Sequence, residues 1–163
     1  MKTKKLTVMA LSVALAMILS FVESQIPAFV AIPGVKIGLA NIAVVFVLYK
    51  LGWKEAAVIS LVRVFMVSLL FGNFASFFYS MAGAVLSLTG MILLRKIPVF
   101  SYTSVSVIGG VLHNMGQIAM ACILLETDVW KYYLPFLILS GTIAGIVVGV
   151  LSAVMVHRVE VKI

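Results

Sequence analysis

Ile32-Pro33-Gly34-Val35-Lys36-Ile37-Gly38-Leu39-Ala40-Asn41 is a polar interruption between two long apolar runs. Within ten residues it places a proline-glycine turn signal, a lysine, a second glycine and an asparagine. The sequence on either side reads as lipid-embedded helix. A turn, a cation and an amide at one such spot point to a ligand site at one end of a helical bundle.

Composition supports the bundle. The chain has 163 residues, of which 64% are hydrophobic and 10% charged, and its mean hydropathy is +1.26. Soluble domains carry about 25% charged residues, so here there are too few charges to cover a water-facing surface. At roughly 20 residues per span, the length accommodates about six helices in one domain and leaves no room for a soluble catalytic module. The net charge of +7 does not imply nucleic acid, because no basic run is interleaved with aromatics in polar sequence. The positive-inside bias of membrane proteins accounts for it. Cys122 lies in an apolar segment, has no cysteine partner in the chain and is expected to pack.

The expected architecture is an all-α integral membrane protein of six transmembrane helices, at about 6–22, 37–49, 54–71, 74–94, 104–125 and 132–156. The basic start Lys2-Thr3-Lys4-Lys5 resembles a signal peptide. The hydrophobicity continues past Ala14-Leu15-Ala16, however, so the first helix is expected to be retained. Ala10 with Ala14, and Ser12 with Ala16, form two small-x-x-x-small pairs on adjacent faces, suited to packing within the chain or against a partner subunit. Segment 26–35 is too apolar for a free solvent loop and is expected to fold back onto the bundle. In the last helix, Gly141, Gly145 and Gly149 recur every fourth residue and predict a close helix–helix contact.

Charge predicts the orientation. With the N-terminus in the cytoplasm, Lys2, Lys4, Lys5, Lys50, Lys54, Arg95, Lys96, Arg158 and Lys162 fall inside and only Lys36 and Lys131 outside, with Arg63 within the membrane. Both termini are then cytoplasmic. The Pro33–Asn41 stretch, Asn73 and the 126–131 connection are extracellular.

Polar groups in hydrocarbon are costly and need a partner, a cavity or a task. Arg63 keeps its charge, so three readings stay open: a pair with Glu23, a bidentate contact to an anionic ligand, or snorkelling. His113, Asn114 and Gln117 cluster on one helix, with His113 and Gln117 sharing a face; they read as interhelical hydrogen bonds or as a pocket wall. A metal site there is not expected, because His157 lies in the tail and no carboxylate neighbours His113. Lys36 and Asn41, at the start of the second helix, fit an anion cradle, since that helix end carries free N–H groups and partial positive charge. Phe74, Phe77, Phe78, Tyr79, Tyr132 and Tyr133 read as an interfacial belt or the mouth of a pocket.

The run Pro33-Gly34-Val35-Lys36-Ile37-Gly38-Leu39-Ala40-Asn41, then Arg63, Gly72-Asn73 and His113-Asn114-Met115-Gly116-Gln117, resembles the Gx transporter family over essentially the whole chain. Members of that family are often labelled heptaprenyl diphosphate synthase component I. The family is similar in turn to the substrate-binding S components of energy-coupling factor vitamin transporters. The resemblance implies a six-helix protein of the cell membrane that binds a small polar or anionic molecule, such as a vitamin or cofactor precursor, from outside. It implies a site formed by Lys36, Asn41, Arg63, Asn73, His113, Asn114 and Gln117. It also implies that Ala10 and Ala14 contact a coupling transmembrane subunit that joins two ATPases. The chain itself has no Gly-x-x-x-x-Gly-Lys-Ser/Thr run, so ATP-driven transport requires other subunits.

The synthase label meets a chemical obstacle. Prenyl chain elongation needs clustered aspartates to hold Mg²⁺ on a diphosphate, because hard cations require oxygen ligands. Of five acidic residues, only Asp128 is an aspartate. The chain is therefore expected not to be an enzyme and to need no cofactor. The alternative role is a non-catalytic membrane accessory to a prenyltransferase or a redox subunit.

Overall fold

The computed structural model describes residues 2–25, 38–126, 128 and 130–161. Among these, six helices and no strands form: α1 (Lys2–Gln25), α2 (Asn41–Lys50), α3 (Trp53–Phe71), α4 (Phe74–Arg95), α5 (Tyr102–Leu125) and α6 (Trp130–Arg158). Four of them, α1, α4, α5 and α6, are long and apolar enough to cross a membrane. α3 has 19 residues but carries Lys54, Glu55 and Arg63, and α2 has only ten residues.

Most helix ends fall within three residues of expectation. The starts of α1 and α2 are the exceptions. α1 already begins at Lys2, within the basic run. At α2 the shift goes the other way: residues 38–40 are not helical, and Asn41 is the first helical residue rather than one turn in. Gly38 has φ +75, a left-handed value that a right-handed helix cannot use and that favours glycine. Its N–H donates to the Glu23 carboxylate on α1. The break is thus held from both sides.

α2 is the centre of the fold. Ile42 to Leu48 are all buried, as expected of a helix that is apolar all round. Val44, Val45, Val47 and Leu48 pack with Ile59 of α3, Val105 of α5 and Val148 of α6. Ala43 and Ala40 meet Ala16 of α1. Of the two small-residue pairs on α1, Ser12 and Ala16 therefore face inward, while Ala10 and Ala14 are exposed.

The widest contacts join α5 to α6 and α4 to α5, and glycines make both possible. A Cβ on Gly149 would stand 2.6 Å from Thr103 Cα, and one on Gly141 would stand 2.9 Å from Val111 Cα. The glycine ladder is thus the backbone-to-backbone seam expected of it. On the other side of α5, a Cβ on Gly116 would meet Gly83 Cα at 2.8 Å.

At the Lys50 end of the bundle, Arg95 lies over the Tyr49 ring and donates to the Leu48 carbonyl. Tyr49 packs edge-on to Tyr102, which packs on His157. Lys5 pairs with Glu55. The outer surfaces carry many exposed Leu, Ile, Val and Phe side chains, as a bilayer-facing surface does. At the opposite end, Phe74 and Tyr132 are exposed and Phe74, Phe77 and Phe78 stack edge to face. None of the six belt aromatics lines the cavities described below.

Candidate functional site

A cavity of about 120 Å³ lies where α1, α2, α3, α4 and α5 converge. α1 contributes Ser20, Glu23 and Ser24, and the start of α2 contributes Gly38 and Asn41. α3 lends Arg63, Val64, Val67, Ser68 and Phe71, α4 lends Ser76 and Ser80, and α5 lends His113. The volume exceeds by several-fold what one water molecule requires.

Arg63 dominates the chemistry. It is 8% exposed, and its buried Nε has no hydrogen-bond partner. It makes no ion pair: among the described residues these are Lys5–Glu55 and Lys131–Asp128. Glu23 lines the same cavity and forms no ion pair with Arg63. A buried guanidinium with an unused donor at a cavity wall is chemically suited to an anionic oxygen acceptor. Snorkelling does not describe this residue.

A smaller cavity of about 20 Å³ shares Gly38, Asn41 and His113 with the first and continues between α2, α4, α5 and α6. It has room for one water. Ser87 lines it, with a buried hydroxyl lacking a partner. The glycines of the α5–α6 seam, Gly110, Gly141 and Gly145, form part of its wall.

The larger cavity thus brings together Asn41, Arg63 and His113. Asn114 borders the smaller one, but its Nδ2 is engaged by the Leu137 carbonyl at 2.9 Å and Ser140 Oγ at 3.2 Å, an interhelical tie. Gln117 lies in the α4–α5 contact against Gly83, is buried with Oε1 unpartnered, and lines neither cavity. Lys36 lies outside the described residues, as does segment 26–35, expected to fold back onto the bundle. Asn73 caps α4: its Oδ1 accepts from Ser76 N–H at 2.8 Å and its N–H donates to Ser76 Oγ at 3.1 Å. Asn73→Ala is expected to cost about 0.5–2 kcal/mol of stability, read as a lower thermal midpoint, while ligand affinity changes less than twofold. A larger drop in affinity would return Asn73 to the site.

The wall also holds serines that the sequence does not single out. Ser20 and Ser24, and Ser76 and Ser80, are each four apart on one helix face. That spacing of hydroxyls at one end of α1 and of α4 is the signal that could have found them.

A wider groove of about 440 Å³ runs between the start of α1 and the end of α6. Its wall is mostly apolar, with Lys4, Thr7, Ser12 and Glu160 as its polar residues. Among the described residues none of its polar atoms is both buried and unpartnered, so it is the weaker candidate for a polar ligand.

A family model described as heptaprenyl diphosphate synthase component I matches residues 12–155. No curated protein matches the chain, and no solved structure does.

Proposed function

Because the chain belongs to the heptaprenyl diphosphate synthase component I family, and because that family name sits beside a cavity built around a buried arginine, we propose that it is a membrane-embedded binding component for transport. It captures a small polar or anionic molecule, of the kind of a vitamin or cofactor precursor, from the extracellular side. The observation that carries this reading is Arg63, buried at the cavity wall with Nε unpartnered. Asn41, His113 and the serines of the wall supply the polar edges.

In this reading all six helices lie within the cell membrane, with both termini cytoplasmic, as the lysine and arginine distribution favours. Ala10 and Ala14, exposed on α1, are the contact for a coupling transmembrane subunit with its ATPases. The role is non-catalytic, since a single aspartate gives no carboxylate cluster for a Mg²⁺–diphosphate. The family description favours a second reading, a non-catalytic accessory to a prenyltransferase. Co-purification with such an enzyme instead of with ATPase subunits is its signature.

Native mass spectrometry of the chain extracted from its own membranes tests the first reading. A retained small polar molecule is expected on the unmutated protein and its loss on Arg63→Ala. Retention unchanged by Arg63→Ala would remove the assigned site.

A further inference from the structure

Arg63 and Glu23 face one cavity from α3 and α1 without pairing. Arg63 offers a free buried donor. Glu23 engages Gly38 N–H with one of its two carboxylate oxygens. A simple anion would satisfy Arg63 but bring a negative charge beside Glu23, and like charges sharing a buried site oppose each other. A simple cation would meet the reverse conflict at Arg63. A group carrying both an anionic oxygen and a cationic nitrogen satisfies both walls and adds no net charge to a buried place. Of the serine hydroxyls around it, those of Ser24 and Ser76 donate to the Phe21 and Asn73 carbonyls and offer the site lone pairs, and Ser20, Ser68 and Ser80 also line it. The cavity, at about 120 Å³, is close to the size that admits a benzene-sized molecule, so it takes about half a dozen heavy atoms.

We infer that this cavity recognises a zwitterionic head group of the α-amino-acid type, its carboxylate on Arg63 and its ammonium on Glu23. The inference rests on the binding role proposed above and specifies its ligand class.

Alanine is the minimal probe, with acetate and methylammonium as its two halves. Saturation-transfer NMR on the full chain in detergent should show alanine binding at least tenfold tighter than either half. Glu23→Gln should abolish that preference, with acetate then binding as well as alanine. Competition from nanodiscs containing phosphatidylserine would assign the head group to a lipid, and its absence to a soluble molecule; either supports the inference. Acetate matching alanine on the unmutated chain would overturn it while leaving a binding site for anions. No signal from any of the three probes, or an alanine signal indifferent to Arg63→Ala, would overturn the inference and the binding role together.

Discussion

Replacing Arg63 with methionine is expected to stabilise the protein and abolish ligand binding. Methionine preserves most of the side-chain volume and removes a charge that is buried without a direct ion-pair partner. Exchanging buried charges for well-packed apolar groups is often neutral or stabilising by about 1–4 kcal/mol. A gain of about 2 kcal/mol would raise the thermal midpoint by roughly 4–8 °C in a chain of this size. Binding moves the other way. Hydrogen bonds to a charged group contribute about 1.5–3 kcal/mol each, so removing both bonds of a bidentate pair should weaken affinity about 100-fold or more. Arg63→Lys keeps the charge but not the fork and should fall between. A methionine variant that is less stable than the parent would mean that Arg63 supports the fold, and the cavity would lose its strongest argument. The pair of measurements, melting and ligand affinity, separates a functional arginine from a structural one.

Gly145→Val is expected to have the largest effect on folding. A Cβ there would stand 2.9 Å from the Ser106 carbonyl oxygen and collide with the Val107 backbone. The obstacle is main chain, so no rotamer change relieves it, and α5 and α6 must separate. Overpacking costs about 1–3 kcal/mol and occasionally more. With the seam this tight, about 3 kcal/mol and a midpoint lowered by roughly 6–12 °C are expected. Two controls sharpen the test. At Gly90 the added Cβ meets only the end of the flexible Leu112 side chain, so Gly90→Ala should cost far less. Ile146, exposed on the outer surface of α6, should accept valine with little change. Equal losses at Gly90 and Gly145 would show that the seam is not the weak point. Because Gly145 also borders the smaller cavity, ligand affinity should fall with stability at this position and not at Ile146.

Much of this architecture is legible in the residues. Apolar length and the scarcity of charge give an all-helical membrane bundle, and the expected starts and ends of α3, α4 and α5 fall close to those found. The four-residue spacing of Gly141, Gly145 and Gly149 foretells the seam because glycine spacing encodes proximity directly. Arg63 is legible as buried because a charge in an apolar helix has few other places to go. What is not legible depends on which faces meet. Ser12–Ala16 and Ala10–Ala14 are equivalent as patterns, and only the position of α2 decides that the former packs inward. Asn73 and Asn114 carry amides suited to a ligand, yet local geometry commits one to a helix cap and the other to an interhelical tie. Glycine at position 38 delays α2 by one turn, a shift that apolar periodicity does not register. The serine wall leaves only its four-residue spacing as a mark, a weak one because hydroxyls in membrane helices ordinarily bond their own backbone, as Ser12 and Thr89 do here.

The brevity of α2 has an electrical consequence. Ten residues rise about 15 Å, half of a hydrocarbon layer of roughly 30 Å. In the reading that places Lys50 at the membrane boundary, Asn41 and Arg63, the inner wall of the cavity, lie near the middle of the transmembrane field, while Glu23, Gly72 and Ser76 lie toward its outer end. A ligand of one net charge reaching that depth would exchange about half of the ~2.3 kcal/mol per 100 mV that a full crossing involves. Its occupancy would rise and fall with the energised state of the cell. A zwitterion carries no net charge through that distance, and a site built for one would fill to the same extent in polarised and depolarised membranes.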